Sequence, residues 1–523
     1  MSNREVIIVA DCGTSGVKLG AIDRQFRVIG HCSRSYVTHF PAPGWAEQDP
    51  EDWWNAVRQG MAELHRQVPD LRRRQAALVF SAQMCGVICC DEAGKPLRRC
   101  LIWVDKRSAA TTAKLTGGFP KLFGYNAFKL ATWVRLANGA PSHNGMDPPG
   151  KMLWIRDNEP EIWDKTHKLL DVKDWLVHRA TGRFVTTYDC ANLTWMLDTR
   201  PKVMNWSDRL ISMVGIPRTM LPELANGSDV AGLLGGNAAE DLGLDAGTPV
   251  CCGCGDVTAT ALGSDALKDG ELHLHMGTSS WVGGFFPGRR LAVSEGYATI
   301  ASAAEGRPLL IATQESAGAC FDWMVRLMTN GRGPSDEVNA EFIDAALTDG
   351  ERDATPVFLP WLAGERAPVD DHRLRGALLG LSLTDDRSTL VRAVAEGIAI
   401  NTRWAFASVS QQPGVLSASP VKLLGGAAAS ASLSRILADC LGRDLAVPEH
   451  PQLAGIRGAA RLAAFGLGWI ASPWDMMEKH PDGMLVRHDP ARRAYFDRRY
   501  RLFLDAYKST APWFRRAFQE FQL

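Results

Sequence analysis

This sequence predicts an α/β fold of two large lobes, and three observations predict it. The chain has 523 residues, more than one ordinary core serves. Short β-branched apolar runs alternate with longer amphipathic stretches in both halves. A Gly-Thr-Ser hairpin opens each half. Cys12-Gly13-Thr14-Ser15-Gly16 stands near the N-terminus and Gly277-Thr278-Ser279-Ser280 about half the chain later, which reads as an approximate internal duplication.

Taken in order, Val6-Ile7-Ile8-Val9-Ala10 suits a strand buried on both faces, ending at the charge of Asp11. The turn composition of residues 12–16 follows, and 17–22 resumes a strand pattern, so a hairpin is expected. Asp49 as N-cap with Pro50 at the first helical position predicts a helix over 50–64. Pro148-Pro149-Gly150, with Pro141 and Gly145 nearby, predicts a loop. Residues 271–276 alternate like a half-buried strand, turn at Gly277, and resume at Trp281 and Val282. Two Ala-rich amphipathic stretches, 388–405 and 428–441, predict helices in the second half.

Composition excludes several classes. Hydrophobic residues make up 46% and charged residues 22%, ordinary globular usage. Lys plus Arg and Asp plus Glu number 58 each, so no net field draws nucleic acid or an anionic membrane. The basic run Arg487, Arg492, Arg493, Arg498, Arg499 and Arg501 alternates with Tyr495, Phe496, Tyr500 and Phe503 at helical spacing and reads as a solvated helix face. No signal-like or membrane-length apolar stretch occurs, so a cytoplasmic protein is expected. Its 12 cysteines are scattered and read as reduced thiols. Cys251, Cys252 and Cys254 lack further ligands at a metal-site spacing and read as small residues packed in a strand.

The chemistry begins at the hairpins. Gly-Thr-Ser tips offer open backbone N–H groups and hydroxyl donors, which suit phosphate oxygens, although a bare surface turn has the same composition. Asp11 ends a buried strand, where a carboxylate needs a partner such as water-ligated Mg²⁺ or its own turn. Cys252-Gly253-Cys254-Gly255-Asp256-Val257-Thr258 sets one acid among small residues, where a ligand hydroxyl can approach closely, although on its own Gly-Asp reads first as a turn.

With these blocks the chain resembles the FGGY carbohydrate kinases, closest to their xylulokinase-like members, within the superfamily that includes actin. The resemblance rests on Asp11-Cys12-Gly13-Thr14-Ser15-Gly16, Trp45-Ala46-Glu47-Gln48-Asp49-Pro50, Trp103-Val104-Asp105-Lys106-Arg107-Ser108 and Gly255-Asp256. Three later blocks continue it: Met276-Gly277-Thr278-Ser279-Ser280, Gly364-Glu365-Arg366-Ala367-Pro368, and Leu424-Gly425-Gly426-Ala427 followed by Ala438-Asp439.

The resemblance implies two ribonuclease H-like lobes around a central ATP and sugar cleft. Residues 1–260 would form the mainly sugar-binding lobe and 261–523 the mainly ATP-binding lobe. It implies ATP and Mg²⁺ as cofactors, with Asp256 as general base and Asp11 organising the metal. Gly13, Thr14, Ser15, Gly277, Thr278 and Ser279 would meet phosphates, Gly425, Gly426 and Ala427 the adenosine, and Gln83, Met84, Trp103 and Asp105 the sugar.

The expected partner is a small sugar or polyol, with no nucleic acid and no membrane, and with a homodimer left open. Where the xylulokinase-like members have Gln-Met-His-Gly this chain has Gln83-Met84-Cys85-Gly86, which removes an imidazole from the sugar wall the resemblance implies, and the 119–150 segment is longer than usual. A chaperone-like nucleotide switch on the same fold is the rival reading. A Rossmann dehydrogenase lacks its last glycine after Gly255, and no Walker A sequence occurs.

Overall fold

The computed structural model describes residues 4–292, 295–329, 336–347, 356–475 and 483–521. The chain forms two compact units. One comprises Met1–Gly263, Ile300–Leu309 and Gly455–Met477, and the other Ser264–Thr299, Leu310–Ala454 and Glu478–Leu523. Two later segments therefore return to the first unit, which a division at 260/261 does not contain.

The first unit is built on a six-stranded sheet of β1 (Val6–Cys12), β2 (Gly16–Ile22), β3 (Val28–Ser35), β4 (Gln75–Ala82), β5 (Val230–Leu233) and β6 (Pro249–Gly255), in the order β5-β6-β4-β1-β2-β3. β1 and β2 form the expected hairpin, with Asp11 opposite Lys18 and Cys12 opposite Val17. β4 runs parallel to β1 and β6 parallel to β4, which brings the carboxyl ends of three strands together. Strands shielded on both faces can be apolar throughout, and β1 and β4 are buried along nearly their whole length.

The helix Pro50–Gln67 starts as its cap predicts, with Asp49 accepting from the Glu51 N–H at 3.0 Å. It buries Trp53, Trp54, Val57, Met61 and Leu64. The proline pair Pro148-Pro149 corrects the expected loop: it opens the helix Pro148–Asn158, where missing N–H groups cost nothing. Gly150 is required there because a β-carbon would collide with the Thr112 hydroxyl.

The second unit carries an eight-stranded sheet of β7 (His273–Met276), β8 (Ser280–Phe285), β9 (Leu291–Ala292), β10 (Tyr297–Ile300), β11 (Leu309–Gln314), β12 (Val421–Leu424), β13 (Leu445–Val447) and β14 (Met484–Val486). Their order is β9-β10-β11-β8-β7-β12-β13-β14. β7 and β8 form an antiparallel hairpin, β12 and β13 follow in parallel, and β14 closes antiparallel. The first unit has the same succession from β2 through β1, β4 and β6 to β5, so the duplication read from the hairpins extends to the sheets.

The Ala-rich helices run Arg387–Ser410 and Ala431–Leu441. The second begins later than expected because the Ser430 hydroxyl accepts from the Leu433 N–H and caps it there, after a short 3₁₀ turn Gly426–Ala429. The basic run lies largely on the helix Arg493–Phe521, whose Phe496 and Phe503 enter the core. Arg499 departs from the solvated reading, since it is buried against Glu396 at 3.0 Å. Cys251, Cys252 and Cys254 are buried in β6. Among the described residues no helix is long and apolar enough to cross a membrane.

Candidate active site

In the first unit, several of the singled-out residues gather at the carboxyl ends of β1, β4 and β6. Asp11 is the penultimate residue of β1, with Ser81 of β4 beside it in register. Burial raises its carboxyl above the usual range, and Lys18 and Ser81 hold the rise back. Its Oδ1 is buried and takes no hydrogen bond among the described residues. The tip that follows is shaped by Gly13, whose N–H donates to the Gly16 carbonyl at 3.0 Å and whose carbonyl accepts from the Tyr36 hydroxyl. Ser15 is exposed and Thr14 half-buried.

A polar relay runs from this tip. The Trp103 indole donates to Thr14 Oγ1 at 2.8 Å, and Gln48 Nε2 donates to the Thr14 carbonyl at 2.7 Å. Gln83 donates to Gln48 Oε1 at 2.7 Å, and its backbone N–H bonds the Cys12 carbonyl at 2.8 Å. Gln83 and Trp103 are thus brought to the first hairpin, each tied to it through Thr14.

Asp105 is placed differently. It is 0% exposed. Its oxygens accept from the Ala46 N–H at 2.7 Å and from Arg107, whose guanidinium also meets Glu47 at 2.8 Å and stacks 3.8 Å over Trp45. A carboxylate so committed orients its neighbours, which is a different placement from the direct sugar contact expected of it.

Asp256 opens the helix Asp256–Gly263 directly after β6. Gly253 allows the strand to bulge here: its φ is +71°, and a β-carbon would overlap the Phe80 carbonyl. Gly255 donates its N–H to the buried Asp189 at 2.8 Å, and Met84 packs where a β-carbon on Gly255 would stand. Asp256 keeps some surface open to solvent, yet protein crowds its carboxyl. Burial, and then the charge of Asp11, push the group up to about 8.

The turn 83–86 is held by two residues that sequence reasoning missed. Cys85 sits at φ +65°, with its N–H and that of Gly86 donating to Asp171 at 3.1 and 2.8 Å. The buried Lys151 ammonium donates to the carbonyls of Cys85 and Ile102 at 2.9 and 2.7 Å. Asp171 is pushed up to about 7 by burial and by Asp174, and burial lowers Lys151. Neither lies near the turn in sequence, so no local signal announces them.

In the second unit, Gly277, Thr278 and Ser279 form the β7–β8 tip, with the Gly277 N–H donating to the Ser279 carbonyl at 2.9 Å. The Thr278 carbonyl accepts from Ala317 and Ala319, both at 3.0 Å, which leaves the exposed Thr278 side chain outside. Gly425 meets the same hairpin from β12: its φ is +91°, and a β-carbon would overlap the Met276 carbonyl. Gly426 and Ala427 begin the 3₁₀ turn that follows. Asp439 caps the backbone of Asp489 at 2.7 Å. The buried Glu365 accepts from the N–H groups of Glu315 and Arg366, both at 2.9 Å, and from Asn401 at 2.6 Å.

Two mixed α/β units, each opening on a Gly-Thr-Ser hairpin and repeating one strand order, are the architecture of sugar kinases. Residues 6–263 match the N-terminal domain of the FGGY family of carbohydrate kinases, and residues 273–467 match its C-terminal domain. The chain belongs to that family and is a phosphotransferase with an alcohol acceptor. It is 30% identical over 515 residues to a xylulose kinase of Escherichia coli strain K12, covering 96% of this chain and 98% of that one. It is also 27% identical over 469 residues to a gluconokinase of Bacillus licheniformis, covering 88% of each. The fold matches a xylulose kinase of Lactobacillus acidophilus with a TM-score of 0.82 at 23% identity, over 97% of this chain and 98% of that one.

Proposed function

We propose that this kinase transfers the γ-phosphate of MgATP to a hydroxyl of a small ketose or related polyol, with Asp256 as the base. The observation that carries the reading is Asp256 itself. It is the first residue of a helix at the carboxyl end of β6, which runs parallel to β4 there, with Gly253 and Gly255 before it, and burial raises its carboxyl above the usual range.

A sugar hydroxyl is a weak nucleophile, and transfer depends on positioning, charge neutralisation and removal of one proton. Asp256 takes that proton as the oxygen attacks. Asp11 fits a cation, since its buried Oδ1 has no donor among the described residues. No cluster of three acidic, His or Cys ligands occurs among those residues, so a metal held at Asp11 would keep water and phosphate oxygens as its other ligands. Bound there, Mg²⁺ would neutralise phosphate charge.

Gly13, Thr14 and Ser15 in the first unit, and Gly277, Thr278 and Ser279 in the second, would give backbone and hydroxyl donors to the phosphates. Gly425, Gly426 and Ala427 would lie against the adenosine. Gln83, Met84 and Trp103 would form the sugar wall, with Asp105 holding that wall from behind through Ala46 and Arg107. Sugar would bind mainly to the first unit and ATP mainly to the second.

The relatives named xylulose kinase and gluconokinase bracket the acceptor as a small polyhydroxylated molecule. The test is a coupled ADP-release screen across ketoses, aldoses and polyols. ADP release that depends strictly on one acceptor class supports the reading, and acceptor-independent ATP hydrolysis alone would replace it with a nucleotide switch.

A further inference from the structure

Gln48 makes no assigned ligand contact, yet its side chain is fully buried and every hydrogen-bonding position of its amide is filled. Nε2 donates to the Thr14 carbonyl and to the Thr38 hydroxyl, both at 2.7 Å. Oε1 accepts from the Trp53 indole at 3.0 Å and from Gln83 Nε2 at 2.7 Å. Two of these partners fix the sense of the amide. An indole nitrogen only donates and a backbone carbonyl only accepts, so turning Gln48 over would set donor against donor and acceptor against acceptor.

That sense is passed on. Because Gln48 presents Oε1, Gln83 must answer with its Nε2, and Gln83 Oε1 is left over as an acceptor. This oxygen is buried and takes no hydrogen bond among the described residues, although a buried acceptor ordinarily has a donor. An isolated glutamine can offer either end to a ligand. This one cannot.

We infer that Gln48 is a positioning residue for phosphoryl transfer. It ties the first hairpin at Thr14 to Gln83 and holds Gln83 as a hydrogen-bond acceptor for a hydroxyl of the bound sugar. The inference rests on the sugar-kinase reading and adds to it the polarity of one subsite. An acceptor whose hydroxyl at that carbon is replaced by fluorine or a methoxy group, neither of which donates, is therefore a poor substrate.

The experiment is steady-state kinetics, with thermal melts, on wild type, Gln83→Leu, Gln48→Leu, Gln48→Glu and the double leucine variant, using the best acceptor from the screen. Gln83→Leu is expected to raise the sugar KM about tenfold and leave the ATP KM within about twofold, as loss of one hydrogen bond to one substrate does. Gln48→Leu raises both KM values, because it releases Thr14 as well. The double variant is no worse for the sugar than Gln48→Leu alone, since both remove one relay. Gln48→Glu still accepts from Trp53 and Gln83 but sets its second oxygen against the Thr14 carbonyl, so it recovers part of the sugar KM and none of the ATP KM.

A purely structural Gln48 would lower Tm without this split. Unchanged KM values in a folded Gln48→Leu enzyme, or single effects that multiply in the double variant, overturn the inference. Should Gln48→Leu fail to fold, an unchanged sugar KM in Gln83→Leu overturns it alone. Failure of the kinase reading is distinguishable, because wild type itself would then turn over no acceptor, and the inference would fall with it.

Discussion

Gly455 presses against Asp11: a β-carbon at Gly455, in the first turn of the helix Ala454–Gly466, would overlap Asp11 Oδ2 and stand 3.0 Å from its Cγ. The carboxylate ends a short mobile side chain, so an added methyl turns it aside without unfolding the helix, and Ala favours helix over Gly. Gly455→Ala should keep or raise Tm while raising the Mg²⁺ requirement and lowering turnover by roughly 10²-fold, the scale of a small misplacement in an active site. A Mg²⁺ titration beside a thermal melt checks this, and an unchanged requirement would separate Asp11 from the metal.

Gly13 and Gly425 should respond differently to the same methyl. A β-carbon at Gly13 meets nothing nearer than the Gly16 carbonyl at 3.6 Å, and Gly13 is not among the glycines at positive φ. Gly13→Ala should therefore fold normally, and a rise in its ATP KM alone would report close approach of phosphate to the tip. Gly425→Ala is strained by its φ of +91° and by Met276, and should lose about 1–3 kcal/mol of stability. Paired melts and ATP titrations separate the two; equal Tm losses would contradict the geometry.

Glu365 closes a relay with a fixed sense. The Trp361 indole donates to Asn401 Oδ1 at 3.2 Å, so Asn401 must turn Nδ2 to Glu365, whose other oxygen already receives two backbone N–H groups. Glu365→Gln sets an amide donor against one of these donors. The expected cost is about 1–3 kcal/mol, read as a lower Tm. An unchanged Tm would show that the relay can reverse.

Much of this was legible because its signals are contiguous. The hairpins and the apolar run ending at Asp11 announce themselves within a few residues, whereas Asp256 among its glycines reads locally as a turn and is singled out only through the family resemblance. Asp49 and Pro50 mark a helix start locally. What was not legible depends on partners far along the chain: Asp171 and Lys151 behind Cys85, Gly455 against Asp11, and the Ala46 N–H closing on Asp105. Pro148-Pro149 was misread because two prolines suit a loop and a first helical turn equally well. The return of Ile300–Leu309 and Gly455–Met477 to the first unit leaves no trace in composition.

Cys85 sets the test of specificity. Its turn is fixed by Asp171 and Lys151, and φ +65° is a conformation His tolerates better than most side chains, so Cys85→His should fold. Wild type should use D-xylulose less well than at least one other ketose or polyol, and Cys85→His should narrow that gap by restoring a ring hydrogen bond. The comparison is kcat/KM across acceptors. A wild-type preference for D-xylulose of about tenfold or more would undo the inference from Cys85, since a pocket that has lost a hydrogen bond should not favour the ligand it served.

The central claim is that Asp256 takes the proton from the sugar. A base acts when ionised, so kcat/KM should rise with pH along a limb above an ordinary carboxyl's, because burial raises the group, while Mg²⁺ held at Asp11 would offset the further rise that the Asp11 charge gives. The most direct measurement is acceptor-dependent ADP release by Asp256→Asn across pH, with ATP binding measured separately. The account predicts intact ATP binding, turnover lower by roughly 10²-fold or more, and loss of that limb. Near wild-type turnover with the limb unchanged, in a folded variant that binds ATP, would contradict it.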